Sequence, residues 1–204
     1  MLNVPFVCCS YSNRYGTLIE GEYSSVSIAD GDTAQQAVEE LYRHGHRRIA
    51  ALISRPNDQS ISQLRYEGYV QALESHGIPV DPELVISTGG FGAKDAYRAV
   101  QEKMAENVDF TALFAIADSM AIGAMRALMD AGRRIPEDCS VIAIDGLELS
   151  AYIEPPLTTL CQPMEEMGRR SAEILLDMVR HKGSHACELL PTTLRQGRSV
   201  AAPR

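Results

Sequence analysis

The sequence predicts an α/β fold built on parallel β-sheet. Short apolar runs alternate with longer amphipathic runs along the chain, which is typical of strands connected by helices. The apolar runs recur about every 30 residues, the length of one strand–helix–strand unit. Glycine and proline stand at the ends of the amphipathic runs, where helices stop and start.

The strands and helices follow from these runs in chain order. The apolar runs predict strands at 4–9, 24–29, 48–53, 83–87, 111–116 and 140–144. The amphipathic runs predict helices at 32–44, 60–76, 93–106, 119–131 and 164–182.

Helix boundaries are marked by residues with suitable side chains. Asp118 or Ser119 can cap the fourth helix, and Gly132 can end it. Pro163 suits the first turn of the last helix, and Gly183 suits its end. Gly45 and Gly77 end the first two helices in the same way.

The length and composition allow either one sizeable core or two small lobes. The chain has 204 residues, of which 45% are hydrophobic and 23% charged. No apolar run approaches the roughly 18 residues that a membrane span needs. The first residues lack the basic region and apolar segment of a signal peptide. We therefore expect a cytoplasmic protein without membrane contact.

Cysteine usage and charge restrict the function further. The five cysteines form no C-x-x-C motif, which favours reduced thiols. The net charge is −8, and the basic pairs Arg47–Arg48 and Arg133–Arg134 form no stripe. Because gripping DNA phosphates requires clustered lysine and arginine, the chain alone is not expected to bind DNA.

Three charged side chains, two after predicted strands and one early in a predicted helix, predict a ligand site. Asp118 follows the apolar run TALFAI and Asp145 follows SVIAI. Ligands of open α/β sheets bind outside the carboxyl ends of the strands. Arg65, early in the second helix, carries a planar fork of donors that suits vicinal hydroxyls or a carboxylate. The alternatives are a surface ion pair for Arg65 and capping roles for Asp145 and Asp118.

Enzymatic and metal-binding motifs give no comparable signal. The sequence has no G-x-S-x-G, Walker, H-E-x-x-H or G-x-G-x-x-G pattern. The run Gly89–Gly92 fits no nucleotide loop, and His181, His185 and Cys187 are more simply a solvated loop. We therefore predict no catalytic residue, no metal and no cofactor.

Six patterns carry a resemblance to a known family. In chain order they are HGHRRIAAL at 44–52, RYEGYVQALESHGI at 65–78, FAIADSMAIGA at 114–124, the G-x-x-I-P-x-D-x-S-V-I pattern of 132–142, IDG at 144–146 and PPLTTLCQP at 155–163. Together they resemble the effector-binding core of the LacI/GalR family of bacterial transcription regulators.

This resemblance implies a two-lobed, periplasmic-binding-protein-like fold with parallel sheets. Residues 1–29 and 163–188 would be the remnant of an incomplete first lobe. Residues 30–162 and 189–204 would form the second lobe, with three segments crossing between them. The helix-turn-helix headpiece of the family and the early strands of the first lobe are absent from the 204 residues.

The resemblance also implies roles for individual residues. It places Arg65 and Asp145 in contact with the effector, and Gln162 at a contact position on a crossing strand. Phe91 takes the place of an aromatic ring that stacks on the effector. The alternative for this Phe, which is flanked by glycines, is a lid or a core plug. Ser10 stands where many relatives carry aspartate. Ala117 replaces an asparagine that reaches the effector in the family.

The function implied is sensing of a small molecule that shifts the angle between the lobes. The effector would be a sugar, a sugar phosphate or a nucleoside, and the protein a homodimer. DNA would be bound only through a headpiece that this chain lacks. The alternative is a stand-alone cytoplasmic sugar-binding module, or a non-functional fragment without regulatory role.

Overall fold

The computed structural model describes residues 4–10, 23–55, 61–181 and 185–204. Within those ranges the strands are β1 Val7–Cys9, β2 Ser24–Ile28, β3 Ile49–Ile53, β4 Val85–Ser87, β5 Ala112–Ala115, β6 Ser140–Asp145, β7 Thr158–Cys161, β8 Cys187–Leu190 and β9 Thr193–Arg195. The helices are α1 Asp30–Arg43, α2 Ile61–Ser75, α3 Ala93–Ala105, α4 Asp118–Asp130 and α5 Met164–His181. Short 3₁₀ helices span Pro82–Leu84 and Glu148–Ala151.

In the described part of the chain, the larger sheet has six strands in the order β4-β3-β5-β6-β7-β9. Its pairs are parallel except for the last, in which β9 runs antiparallel to β7. Every residue of β3 and β5 is buried, as expected for parallel strands with both faces covered. The apolar runs at 48–53 and 111–116, which predicted these strands, therefore lie at the centre of the core.

Two pairs of helices cover the larger sheet. Helix α1 packs against α2, and α3 packs against α4. The connection from β3 to β4 moves along the sheet in one direction. The connections from β4 to β5 and from β5 to β6 move in the other direction. Since such crossovers are right-handed, α2 lies on one face and α3 and α4 on the other. The Tyr69 hydroxyl of α2 donates a hydrogen bond to the carbonyl of Ile49 in β3, at 2.8 Å. This bond fixes α2 on the sheet.

Among the described residues, the smaller sheet has three parallel strands in the order β1-β2-β8. Helix α5 packs against β1 and β2, and Met167 and Ile174 are buried there. Arg170 of α5 forms an ion pair with Glu188 of β8. This sheet is smaller and less completely covered, since Leu189 of β8 is 67% exposed.

The chain passes between the two sheets at three places. The first is between β2 and α1, the second between β7 and α5, and the third between β8 and β9. The first and third lie together, since the hydroxyls of Thr33 and Thr192 are 3.4 Å apart. The division into lobes at 29, 162 and 188 stays a prediction.

All the predicted strands and helices are present, with shifted ends. Gly45 and Gly77 have positive φ angles of 100° and 67° after the first two helices, which confirms them as helix ends. Gly183 lies outside the described residues. The periodicity did not predict β7, β8 or β9. None of the helices in the described ranges has the length and apolar character needed to cross a bilayer.

Candidate functional site

Three of the predicted site residues meet at the carboxyl edge of the larger sheet. Arg65 lies in the first turns of α2, Asp145 ends β6 and Gln162 follows β7. The Asp145 Oδ1 atom accepts hydrogen bonds from Arg65 Nη1 at 3.2 Å and from Gln162 Nε2 at 2.8 Å. Asp145 and Gln162 meet because β6 and β7 are neighbouring strands. Helix α2 brings in Arg65, which is 80 residues from Asp145 in sequence.

Arg65 is held from three directions inside the protein. Its Nε donates to Asp30 Oδ1 at 2.8 Å, and both side chains are only 3% exposed. Its Nη1 also donates to the carbonyl of Ile116 at 2.5 Å. Among the described residues, no acceptor is shown for Nη2. The guanidinium is therefore fixed in place with one nitrogen left for another partner.

Asp30 is a site residue that the sequence did not reveal. It opens α1 directly after the crossing from β2, and its carboxylate pairs with the guanidinium of Arg65. Burial raises the pKa of Asp30, while Arg65 acts in the opposite direction. A separation of 35 residues gives no periodic signal that would have linked the pair.

Asp145 has an unusual backbone conformation. Its φ angle is 139°, a value that residues other than glycine rarely adopt. The next residue, Gly146, has a φ of 78°, and a Cβ there would lie 2.5 Å from Cys161 Sγ. Such strain persists where the surroundings impose it, and it clusters at binding sites. Here the Asp145 carboxyl group is aimed between Arg65 and Gln162.

Asp118 does not cap its own helix, so that prediction was wrong. The N-cap of α4 is Ala117, and no side chain caps it. The Asp118 carboxylate is fully buried. It accepts hydrogen bonds from the amide of Leu147 at 2.8 Å and from the hydroxyls of Ser150 and Thr159 at 2.7 and 2.5 Å. These donors draw it away from the free N–H groups of α4.

Arg195 of β9 also holds the segment that contains Leu147 and Ser150. Its Nη2 donates to Ser150 Oγ at 2.5 Å and to the carbonyl of Leu147 at 3.0 Å. The same nitrogen lies 3.9 Å from Asp118 Oδ2. Asp118 and Arg195 therefore hold the segment that follows Asp145. Sequence patterns missed Arg195 because β9 was itself not predicted.

The two remaining predicted contacts lie on the surface around this centre. Phe91 is 41% exposed, and its carbonyl accepts a hydrogen bond from Ser119 Oγ at 2.7 Å. Ser10 follows β1 of the smaller sheet with a φ of 54°. Its hydroxyl lies 3.4 Å from Gln162 Oε1. Ser10 thus connects the smaller sheet to the Gln162 side of the site.

Hydrogen-bonding capacity, rather than cavity size, locates the candidate site. A cavity of about 490 Å³ opens beside Asp30, between β2, β8, α1 and α2, and it includes neither Arg65 nor Asp145. The polar groups that converge without full pairing, Arg65 and Asp145, therefore lie outside this cavity. In the part of the chain that the structure describes, no three potential metal ligands come together.

The sequence matches a family model. Residues 38–200 fit the periplasmic binding protein-like domain. The match covers every strand of the larger sheet. It leaves out the start of α1.

Known proteins with similar sequences and folds are regulators of transcription. The regulator MalR of Clostridium butyricum is 36% identical over 95% of this chain and 57% of its own length. The repressor CytR of Escherichia coli K12 is 38% identical over 84% of this chain and 51% of its own. A solved complex of the regulator CelR with cellobiose has a TM-score of 0.83 at 34% identity, covering 90% of this chain and 56% of that one.

The chain spans about half the length of the curated relatives that it matches. The family model nevertheless matches most of this chain, over residues 38–200. The chain therefore belongs to the periplasmic-binding-protein-like domain family, in the form found in LacI-family regulators of transcription.

Proposed function

We propose that this chain is the effector-sensing core of a LacI-type transcription regulator. The observation that carries the proposal is the convergence of Arg65, Asp145 and Gln162 at the carboxyl edge of the larger sheet. Open α/β sheets bind ligands at this edge. The relatives are regulators rather than enzymes, and we propose no catalytic role.

The unpaired capacity of the site suits a hydroxylated molecule. Arg65 Nη2 can donate, and Asp145 Oδ2 can accept because its only described donor is the Asp118 amide at 3.4 Å. A sugar hydroxyl both donates and accepts, so neighbouring hydroxyls satisfy both groups. The exposed ring of Phe91 offers an apolar face on which a sugar ring can stack. The relative CelR was solved with cellobiose.

A ligand at this site can act on the arrangement of the two sheets. Gln162 stands at the crossing from β7 to α5, and Ser10 of the smaller sheet approaches it. A ligand that binds one arrangement better than another shifts the equilibrium between them. In a complete regulator this shift would reach DNA through a separate DNA-binding part and through a homodimer. We expect such a regulator to act in the cytoplasm, where transcription takes place.

Thermal melts of the 204-residue chain against sugars, sugar phosphates and nucleosides test this proposal. A ligand at about 100 times its Kd adds about 2.7 kcal/mol to the free energy of unfolding. This raises Tm by roughly 5–10 °C in a chain of this size. We expect Gln162→Ala to reduce the shift strongly, because a bond that orients Asp145 is lost.

The matched control is Gln36→Ala, which makes the same change at an exposed position of α1. It should leave the shift intact. The proposal fails if no compound shifts Tm, or if Gln162→Ala and the control respond alike.

A further inference from the structure

The charges around the candidate site are unevenly balanced. Within the described residues, two guanidinium groups, Arg65 and Arg195, face three carboxylates, Asp30, Asp118 and Asp145. The carboxylate excess lies at the carboxyl edge of the sheet, where the effector is proposed to bind. An anionic ligand would have to approach this excess.

Arg65 is the cation at the centre, and its charge is already matched. Its Nε and Asp30 Oδ1 are 2.8 Å apart, with both side chains 3% exposed. Asp145 Oδ1 lies 3.2 Å from its Nη1. Because the three groups are largely shielded from water, their mutual interaction is stronger than it would be on the surface. Two carboxylates therefore cancel the attraction that Arg65 would exert on an incoming anion.

Among the residues that the structure describes, the other guanidinium groups near the site do not restore this attraction. Arg195 donates to Ser150 and to the carbonyl of Leu147, and it faces Asp118. Arg55, after β3, is exposed and donates its Nε to the carbonyl of Gly89 at 3.1 Å. Water and salt screen a charge in such a position over roughly 10 Å at 0.1 M ionic strength.

The hydrogen-bonding groups that remain also disfavour an anion. Asp145 Oδ2 accepts only a long hydrogen bond from the Asp118 amide, at 3.4 Å, and can accept a further one. Phosphate oxygens that have lost their protons offer no donor. A phosphate placed beside Asp145 would bring two negative groups together in a half-buried site. Sugar hydroxyls can donate to Asp145 and accept from Arg65 Nη2 without any change of charge.

From these contacts we infer that Asp30 makes the site selective for uncharged, hydroxylated effectors over their phosphorylated forms. Asp30 does so by occupying the Nε edge of Arg65 and neutralising its charge. This inference rests on the proposed function, because it concerns the ligand class of the same site. It assigns a specificity-determining role to a residue at the crossing between the two sheets.

Titration calorimetry with matched ligand pairs tests the inference on the 204-residue chain. The pairs are ribose with ribose 5-phosphate, glucose with glucose 6-phosphate, and cellobiose with its 6-phosphate. For the pair that contains a ligand, we expect the unchanged chain to bind the neutral member at least tenfold more tightly. This first comparison requires no variant and is independent of any folding defect.

Asp30→Asn tests the residue itself. Asparagine keeps an oxygen that can accept from Arg65 Nε but removes the negative charge, so the preference for the neutral member should fall several-fold. The matched control is Asp32→Asn in the same first turn of α1, where the side chain is exposed. It removes the same charge from the chain and should leave the preference unchanged.

The outcomes separate this inference from the proposed function. A phosphorylated member that binds as tightly as its neutral partner, or more tightly, overturns the inference and leaves effector sensing in place. Equal preferences in Asp30→Asn and Asp32→Asn overturn the role of Asp30. Failure of every neutral and phosphorylated compound to bind overturns both proposals together.

Discussion

At the scale of single residues, Asp118 shows how a buried carboxylate can serve a neighbouring segment. It has no exposed surface and accepts hydrogen bonds from Leu147, Ser150 and Thr159. We expect Asp118→Ala to lower the free energy of unfolding by about 3 kcal/mol, because three donors lose their acceptor inside the protein. Urea denaturation followed by circular dichroism measures the change.

Asp130→Ala at the other end of α4 is the comparison for this variant. Its carboxylate is exposed and pairs with Arg126 on the surface, where ion pairs contribute little. We expect a much smaller effect than for Asp118→Ala. Similar losses in the two variants would contradict the role assigned to Asp118.

His46 is a second residue whose burial has a measurable consequence. Its Nε2 donates to the carbonyl of Ala201 at 2.8 Å, and its Nδ1 lies 2.9 Å from the hydroxyl of Thr111. A carbonyl can only accept, so this arrangement suits the neutral ring with its proton on Nε2. Burial lowers the pKa of His46 below its ordinary value of 6.5.

The sign of the pH effect follows from this lowered pKa. Below about pH 6.5 the unfolded chain binds a proton at this histidine more readily than the folded chain does. The neutral ring therefore contributes its full stabilisation above pH 6.5. This stabilisation is lost as the pH falls towards the pKa that His46 has in the folded chain. We expect urea midpoints to drop between pH 7.5 and 5.5, and to drop less in His46→Gln. His185→Gln, at an exposed position, should retain the full drop.

At the scale of elements, the contact between α1 and α2 depends on a glycine. A Cβ on Gly68 would lie 2.1 Å from the carbonyl oxygen of Gly31 and 2.9 Å from Ala34 Cβ. We expect Gly68→Ala to destabilise the chain by about 1–3 kcal/mol, because the helices must separate. Gly168 of α5 has no neighbour within 4 Å. There the same change should stabilise by about 0.5–1 kcal/mol. Chemical denaturation of both variants should therefore give opposite signs, and equal signs would contradict the packing.

The elements also show what sequence patterns can and cannot provide. Buried parallel strands such as β3 and β5 are continuous apolar runs, so composition alone indicates them. Strands β7 and β9 are short, and Thr158 and Thr159 look polar although they are buried. Their pairing joins residues far apart in sequence, such as Leu160 with Leu194. No local period encodes such a pairing.

The residues of the candidate site also differ in whether the sequence indicates them. Arg65, Asp145 and Gln162 could be identified because each carries a motif or follows a strand. Asp30 and Arg195 could not, because their importance lies in contacts across 35 and 45 or more residues. The side chain of Asp118 was misassigned because the position before a helix usually indicates a cap. Here buried donors from other elements compete for it.

At the scale of the whole molecule, the two sheets should differ in stability. Within the described ranges, the larger sheet has six strands with helices on both faces. The smaller sheet has three strands there, and its strand β1 has only three residues. Local opening is easiest where few buried contacts resist it. We expect amides of β3, β5 and β6 to exchange with deuterium much more slowly than those of β1, β2 and β8. Uniform protection would contradict two units of unequal stability.

The proposed ligand site is centred on Asp145 and joins the two sheets. The most direct test is titration calorimetry of the best ligand against the unchanged chain and Asp145→Asn. A hydrogen bond to a charged group contributes about 1.5–3 kcal/mol, so we expect affinity to fall roughly 10- to 100-fold. If folded Asp145→Asn binds the ligand with unchanged affinity, the ligand site is not centred on Asp145.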